Sequence, residues 1–110
     1  MLANDFEAVW PQSCEKIVGP DNFITLNKEY PGTGTIEVYS SRYGYEEWEH
    51  IHEVTTITNI KWIKPDGKEE DVFAISLFKI DSEGPILSVE EYWAETYPAP
   101  EWRKNLVEKY

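Results

Sequence analysis

The chain has 110 residues, one cysteine and a formal charge of −11 from 10 basic and 21 acidic side chains. That length fits one domain, residues 1–110, with one modest core, and a content of 41% apolar and 15% aromatic residues is too high for a disordered chain. The charge repels phosphate backbones, which argues against nucleic acid and anionic membrane surfaces as partners, and no apolar run approaches the ~18–20 residues that a membrane-spanning helix needs.

The first residues, Met1–Gln12, show neither a basic start nor an apolar stretch of signal-peptide type. Phe6–Gln12 alternates Phe6, Ala8 and Trp10 against Glu7 and Val9, the period of a short strand. Pro11–Glu15 reads as a turn. It holds Cys14, which has no second cysteine to pair with, and this fits a reducing, cytoplasmic setting. Pro20, just after Gly19, and Asp21 suit the first turn of a helix. Phe23, Leu26 and Tyr30 share one helical face, and Pro31-Gly32 ends the element, so Pro20–Tyr30 is expected to be a short amphipathic helix.

From Thr35 onward the pattern is sheet. Strands are expected at Thr35–Tyr43, Glu49–Ile63, Asp71–Ile80 and Ile86–Trp93. Asp66-Gly67 is a tight-turn dipeptide that makes Lys64–Lys68 a hairpin, and Asp81–Pro85 is the next turn. The last three strands form an antiparallel meander. Val72, Ala74 and Phe78 lie on one of its faces, and Phe73, Ile75 and Leu77 lie on the other. An antiparallel sheet usually keeps one wet face. Two apolar faces need two covers, and one short helix covers only one. The second cover is expected to be another subunit, a ligand or both. Pro98 and Pro100 force an extended lead-in to Glu101–Tyr110, which is expected to be a tail pinned along the sheet by its aromatic residues.

Few residues carry chemistry. His50 and His52, two apart on the expected Glu49–Ile63 strand, would share a face and invite a metal reading with Glu49 or Glu53. No third histidine completes such a set, so no metal is expected. Glu90 and Glu91 must face opposite ways. Glu91 is placed with Leu87, Val89 and Trp93, and Glu90 with Ile86, Ser88 and Tyr92. An inward carboxylate among apolar groups can act as a general acid or base; the bland alternative is a solvated Glu91, or one paired with Arg42 or Arg103. The aromatic set, including Trp10, Phe23, Trp62 and Trp93, reads either as core or as the wall of an apolar ligand pocket.

The stretches "AVWPQSCEKIVGPDNF" and "ISLFKIDSEGPILSVEEYWAETYPAPEWR" resemble the SnoaL-like group of the nuclear transport factor 2-like superfamily. The likeness runs from about Ala8 to Val107. It implies an α+β class fold: a cone-shaped α+β roll in which a strongly curved antiparallel sheet packs on few helices around an apolar pocket, commonly as a homodimer and without a cofactor. The group includes polyketide cyclases, ketosteroid-isomerase-like enzymes and dehydratases. Its acid–base carboxylate on the last strand corresponds to Glu91. The cyclases pair that acid with a histidine on the preceding strand; this chain has none there, and His52 is the only substitute. The N-terminal helices that close the cone in the group are missing or short, and Cys14 stands where glycine is common. Two functions follow. One is a small-molecule-binding protein or cofactor-free isomerase, cyclase or lyase, with Glu91 and His52 as candidate catalytic residues and Trp10, Phe23, Trp62 and Trp93 lining the pocket. The other is a non-catalytic homodimerisation module of the same fold, with no working pocket.

Overall fold

The computed structural model describes residues 1–110. Its elements are β1 (Leu2–Trp10), β2 (Glu15–Val18), α1 (Pro20–Glu29), β3 (Thr33–Glu46), β4 (Ile51–Ile63), β5 (Glu69–Asp81) and β6 (Ile86–Glu95), followed by a 3-10 turn at Glu101–Arg103. The strands form one curved, unclosed sheet in the order β2-β1-β6-β5-β4-β3. β3 to β6 are the antiparallel meander, and β1–β2 is a hairpin. β1 runs parallel to β6, so the sheet is mixed rather than wholly antiparallel.

Local chemistry explains most boundaries. Gly67 takes a φ of 86°, which a side chain would strain, and the Lys68 N–H donates to Asp66 Oδ1 at 2.9 Å, so Asp66-Gly67 closes the β4–β5 hairpin. Helix α1 has Pro20 in its first turn, where a missing N–H costs nothing. It lays Phe23 and Leu26 on a core of Phe6, Ala8, Ile17 and Val89, and the Phe6 and Phe23 rings sit 5.0 Å apart. Burying Phe6 contributes about 1.5–3 kcal/mol.

Opposed residues of a ladder share a face, so the registers define an inner face, toward α1, that carries Ala8, Val89, Phe78 and Val54. Val72, Ala74 and Ser76 are buried on this side, whereas Ile75 and Leu77 are exposed on the outer one. The buried polar groups are satisfied. Asn59 Nδ2 donates to Asp71 Oδ1 at 2.6 Å, and Ser76 Oγ to Glu91 Oε2 at 3.1 Å.

Several sequence expectations shift. β1 starts at Leu2, and the short β2 pairs with it where no strand was expected. β3 is longer than Thr35–Tyr43 at both ends. β4 begins at Ile51 instead of Glu49. His50 lies in the preceding turn with a φ of 53°, so it does not share a strand face with His52. A register break after Lys79 turns Ile86 onto the inner face, where it packs on the core beside Val89; Ile86 is therefore not a face-mate of Glu90. Cys14 has a φ of 58°, a left-handed conformation that favours glycine.

The tail is not pinned. Its last ties to the sheet are the Thr96 N–H and Oγ1, which donate to the Asp71 carbonyl at 3.1 and 3.2 Å. Beyond them Tyr97 and Trp102 are exposed, and the 3-10 turn packs on no strand or helix. Pro100 has an extended backbone, as its ring and that of Pro98 favour.

The molecule is also open. Its accessible surface is 8671 Å², against about 6,300 Å² expected for a folded monomer of this mass. Its radius of gyration is 16.8 Å, against about 13 Å for a compact chain of this length.

Candidate functional site

The parallel β1–β6 pair brings together residues 81 positions apart in sequence. Trp10 ends β1, and Glu91 and Trp93 lie two apart on β6, all on the inner face. The Trp10 Nε1–H donates to Glu91 Oε1 at 3.1 Å, and Ser76 Oγ donates to Oε2 at 3.1 Å. Each carboxylate oxygen therefore accepts one hydrogen bond. The Trp10 and Trp93 rings meet edge to face, 4.9 Å apart at 78°, an arrangement that aromatic pairs favour. The Trp93 backbone N–H donates to Gln12 Oε1 at 2.5 Å, tying the β1–β2 turn to the last strand. Glu91 is bound to neither Arg42 nor Arg103; its partners are an indole and a hydroxyl.

Trp10, Glu91 and Trp93 thus form one constellation, and the other proposed site residues lie elsewhere. Phe23 lies on α1 and packs against the core beneath it. Trp62 covers Gly34, meets the Tyr30 ring at 5.6 Å and donates Nε1–H to the Pro31 carbonyl at 2.8 Å. His52 faces inward, because it pairs with Ile80 and Tyr45 on the inner face. Its Nδ1 lies 2.6 Å from the Tyr43 hydroxyl, and its ring sits 4.9 Å from that of Tyr45. Ser76, level with Glu91, pairs with Thr56. His52 is four residues along the same strand, a displacement of about 13 Å, too far for direct proton exchange with Glu91.

Sequence reading missed Ser76 and Gln12. Ser76 stands in no nucleophile motif of the sequence. Its actual signal was a hydroxyl among Val72, Ala74 and Phe78 on a core face, where a polar group needs a partner. Gln12 had no signal, since its partner is fixed by the β1–β6 crossover.

Charge is sorted by face. Every basic residue of the strands, namely Lys16, Arg42, Lys61 and Lys79, lies on the outer face by register. The inner face carries Glu15, Glu70, Glu91 and Glu95. Glu70 pairs with Lys64 at 2.5 Å, and this bond holds the Lys64 ammonium above the usual lysine range. A depression of about 650 Å³ lies at that end, among Trp62, Lys61, Glu70 and Glu95, and a second, of about 540 Å³, runs beside α1. Neither reaches Glu91. No group of three or more His, Cys, Asp or Glu side chains is placed to hold a metal ion, and no helix is long and apolar enough to cross a membrane.

No family model and no curated protein matches the chain. Solved structures do. A nuclear transport factor 2-like protein of unknown function from Burkholderia xenovorans superposes with a TM-score of 0.70 at 24% identity, over 99% of this chain and 77% of that one. A candidate ketosteroid isomerase from Kribbella flavida gives 0.72 at 26% identity, over 99% and 72%. The calcium/calmodulin-dependent kinase II hub of S. rosetta gives 0.62 at 11% identity, over 86% and 77%. The chain therefore has the nuclear transport factor 2-like fold, an α+β roll.

Proposed function

We propose that this chain is a SnoaL-like small-molecule-binding protein, cytoplasmic and homodimeric, that takes an apolar ligand on its inner face and uses Glu91 as a cofactor-free acid–base in isomerase, cyclase or lyase chemistry. The observation that carries the reading is the Glu91 carboxylate, bound by Trp10 and Ser76 and flanked by Trp93. A ligand lying on the two indoles presents an acidic C–H to the carboxylate. Glu91 removes that proton and returns it at another carbon, the allylic shift of an enolisable ketone. The likeness to a candidate ketosteroid isomerase supports this reaction class. His52 is too distant for the first transfer and is assigned to the far rim of the same face. The test follows isomerisation of a β,γ-unsaturated ketosteroid by absorbance. Glu91→Gln is expected to lower kcat at least 100-fold with little change in KM. Turnover unchanged by Glu91→Gln would remove Glu91 from the chemistry.

A second reading is the non-catalytic module. Its observation is that neither of the two depressions described above reaches Glu91; the likeness to a kinase hub fits an assembly role. In that case no ketone turns over and the two-copy assembly is the function.

A further inference from the structure

The two edges of the sheet differ. β2, at one edge, has 4 residues and leads straight into α1. β3, at the other, has 14 residues, carries neither proline nor lysine, and leaves Ile36, Val38 and Tyr43 62–67% exposed. An open strand of that length is a template for a further strand. Its one irregularity is the register break between Val38 and Ser40. The extra residue there, Tyr39, shifts the alternation: Ile36 and Val38 face inward before it, and Ser41 and Tyr43 after it. A regular strand in face with one half of β3 is therefore out of face with the other.

We propose that β3 pairs antiparallel with β3 of a second copy of this chain, about a two-fold axis between Tyr39 and Ser40, so that two six-stranded sheets join into one. Three observations meet at this register. It is the midpoint of the strand, with Thr33–Val38 on one side and Ser41–Glu46 on the other. It sets the break against its own copy, so both halves stay in face: Val38 meets the partner's Ser41, and Ile36 meets the partner's Tyr43, on the inner side. It also sets Glu37 across from the partner's Arg42 on the outer side, and neither residue makes an ion pair within the chain. Two-fold symmetry repeats that pair, and opposite charges directly across a ladder are favourable. The occupant is a second copy because the partner strand needs the same break at the same place. The inference rests on the homodimer of the proposed function but not on the catalytic role of Glu91.

The test uses the full chain in a Cys14→Ser background. Glu37→Cys/Arg42→Cys is oxidised, run without reductant, and expected to give a species of two linked chains. Glu37→Cys alone is expected to stay single, because its two copies lie about 17 Å apart along the ladder. No linkage in the double variant, or equal linkage in the single one, overturns the pairing. A second measurement follows two-copy association by analytical ultracentrifugation. Glu37→Arg and Arg42→Glu each set like charges across the ladder and are each expected to weaken association about ten-fold. Glu37→Arg/Arg42→Glu restores opposite charges and is expected to return it close to the wild-type value, a rescue that a folding defect does not give. If all three associate as tightly as the wild type, the outer face or another surface holds the dimer; the edge pairing is then overturned and the homodimer stands. A wild-type chain that stays single at all concentrations overturns both.

Discussion

The two halves of this sheet carry similar side chains and differ in what lies over them. Around β1 and β6, Phe6, Ala8 and Val89 are buried because α1 lays Phe23 and Leu26 across them. Around β3 and β4, Ile36, Val38 and Tyr43 point to the same inner face, and nothing in the chain covers them. The contrast shows that alternation in a strand specifies a face, while only a second layer makes that face a core. It also explains why the carboxylate of interest is in the covered half. A Glu91 held by an indole and a hydroxyl needs a rigid neighbourhood, and β1 and β5 supply it from both sides.

The largest effect that tests this contrast is Phe6→Ala. It removes a fully buried ring and is expected to cost about 3–5 kcal/mol, read as a lower urea midpoint. Tyr43→Ala, on the bare half, is expected to stay within about 0.5 kcal/mol in dilute protein. Equal losses from the two would mean that β3 is covered in solution and that the halves do not differ.

A smaller effect separates the two ends of β3. A Cβ on Gly34 would meet the Lys61 carbonyl and come within 2.5 Å of the Trp62 ring, whereas a Cβ on Gly44 meets nothing. Gly34→Ala is expected to cost about 1–3 kcal/mol, because the close neighbour is backbone and cannot rotate away. Gly44→Ala is expected to be neutral or to stabilise by up to about 0.5–1 kcal/mol, since alanine loses less freedom than glycine in a strand. Paired melting curves check the difference, and a costly Gly44→Ala would reveal a contact over the exposed end of β3.

What the sequence made legible was local. Helix α1, the Asp66-Gly67 hairpin, the meander and the opposed faces of Glu90 and Glu91 follow from patterns a few residues long. What it hid depended on pairing across the chain. The parallel β1–β6 ladder sets Trp10 on Glu91, and no period within either strand announces that meeting. Bulges hide in the same way: the extra residue before Ser88 turns Ile86 to the other face while leaving the alternation intact to the eye. The left-handed His50 is hidden because the β-rich run from Ile51 follows it directly. The tail was misread because its aromatic residues look like core residues, and exposure is a property of the assembled surface, not of composition.

The smallest expected effect is a pH dependence from the outer face of the covered half. Tyr92 lies there on β6, and its phenol is held above the usual tyrosine value of 10.0, first by desolvation and then by the neighbouring Glu90 carboxylate. The folded chain therefore keeps this proton at a pH where the unfolded chain has begun to lose it. By linkage, the stability that this group contributes is complete below about pH 10 and is lost as pH rises through the folded-state value. Tyr92→Phe is expected to leave the melting temperature near neutral pH almost unchanged and to flatten its fall on the alkaline side. A Tyr92→Phe curve that falls as steeply as that of the wild type above pH 10 would mean that the phenol is fully hydrated. The outer face of β6 would then be as wet as that of β3, and the difference between the halves would be confined to the inner side of the sheet.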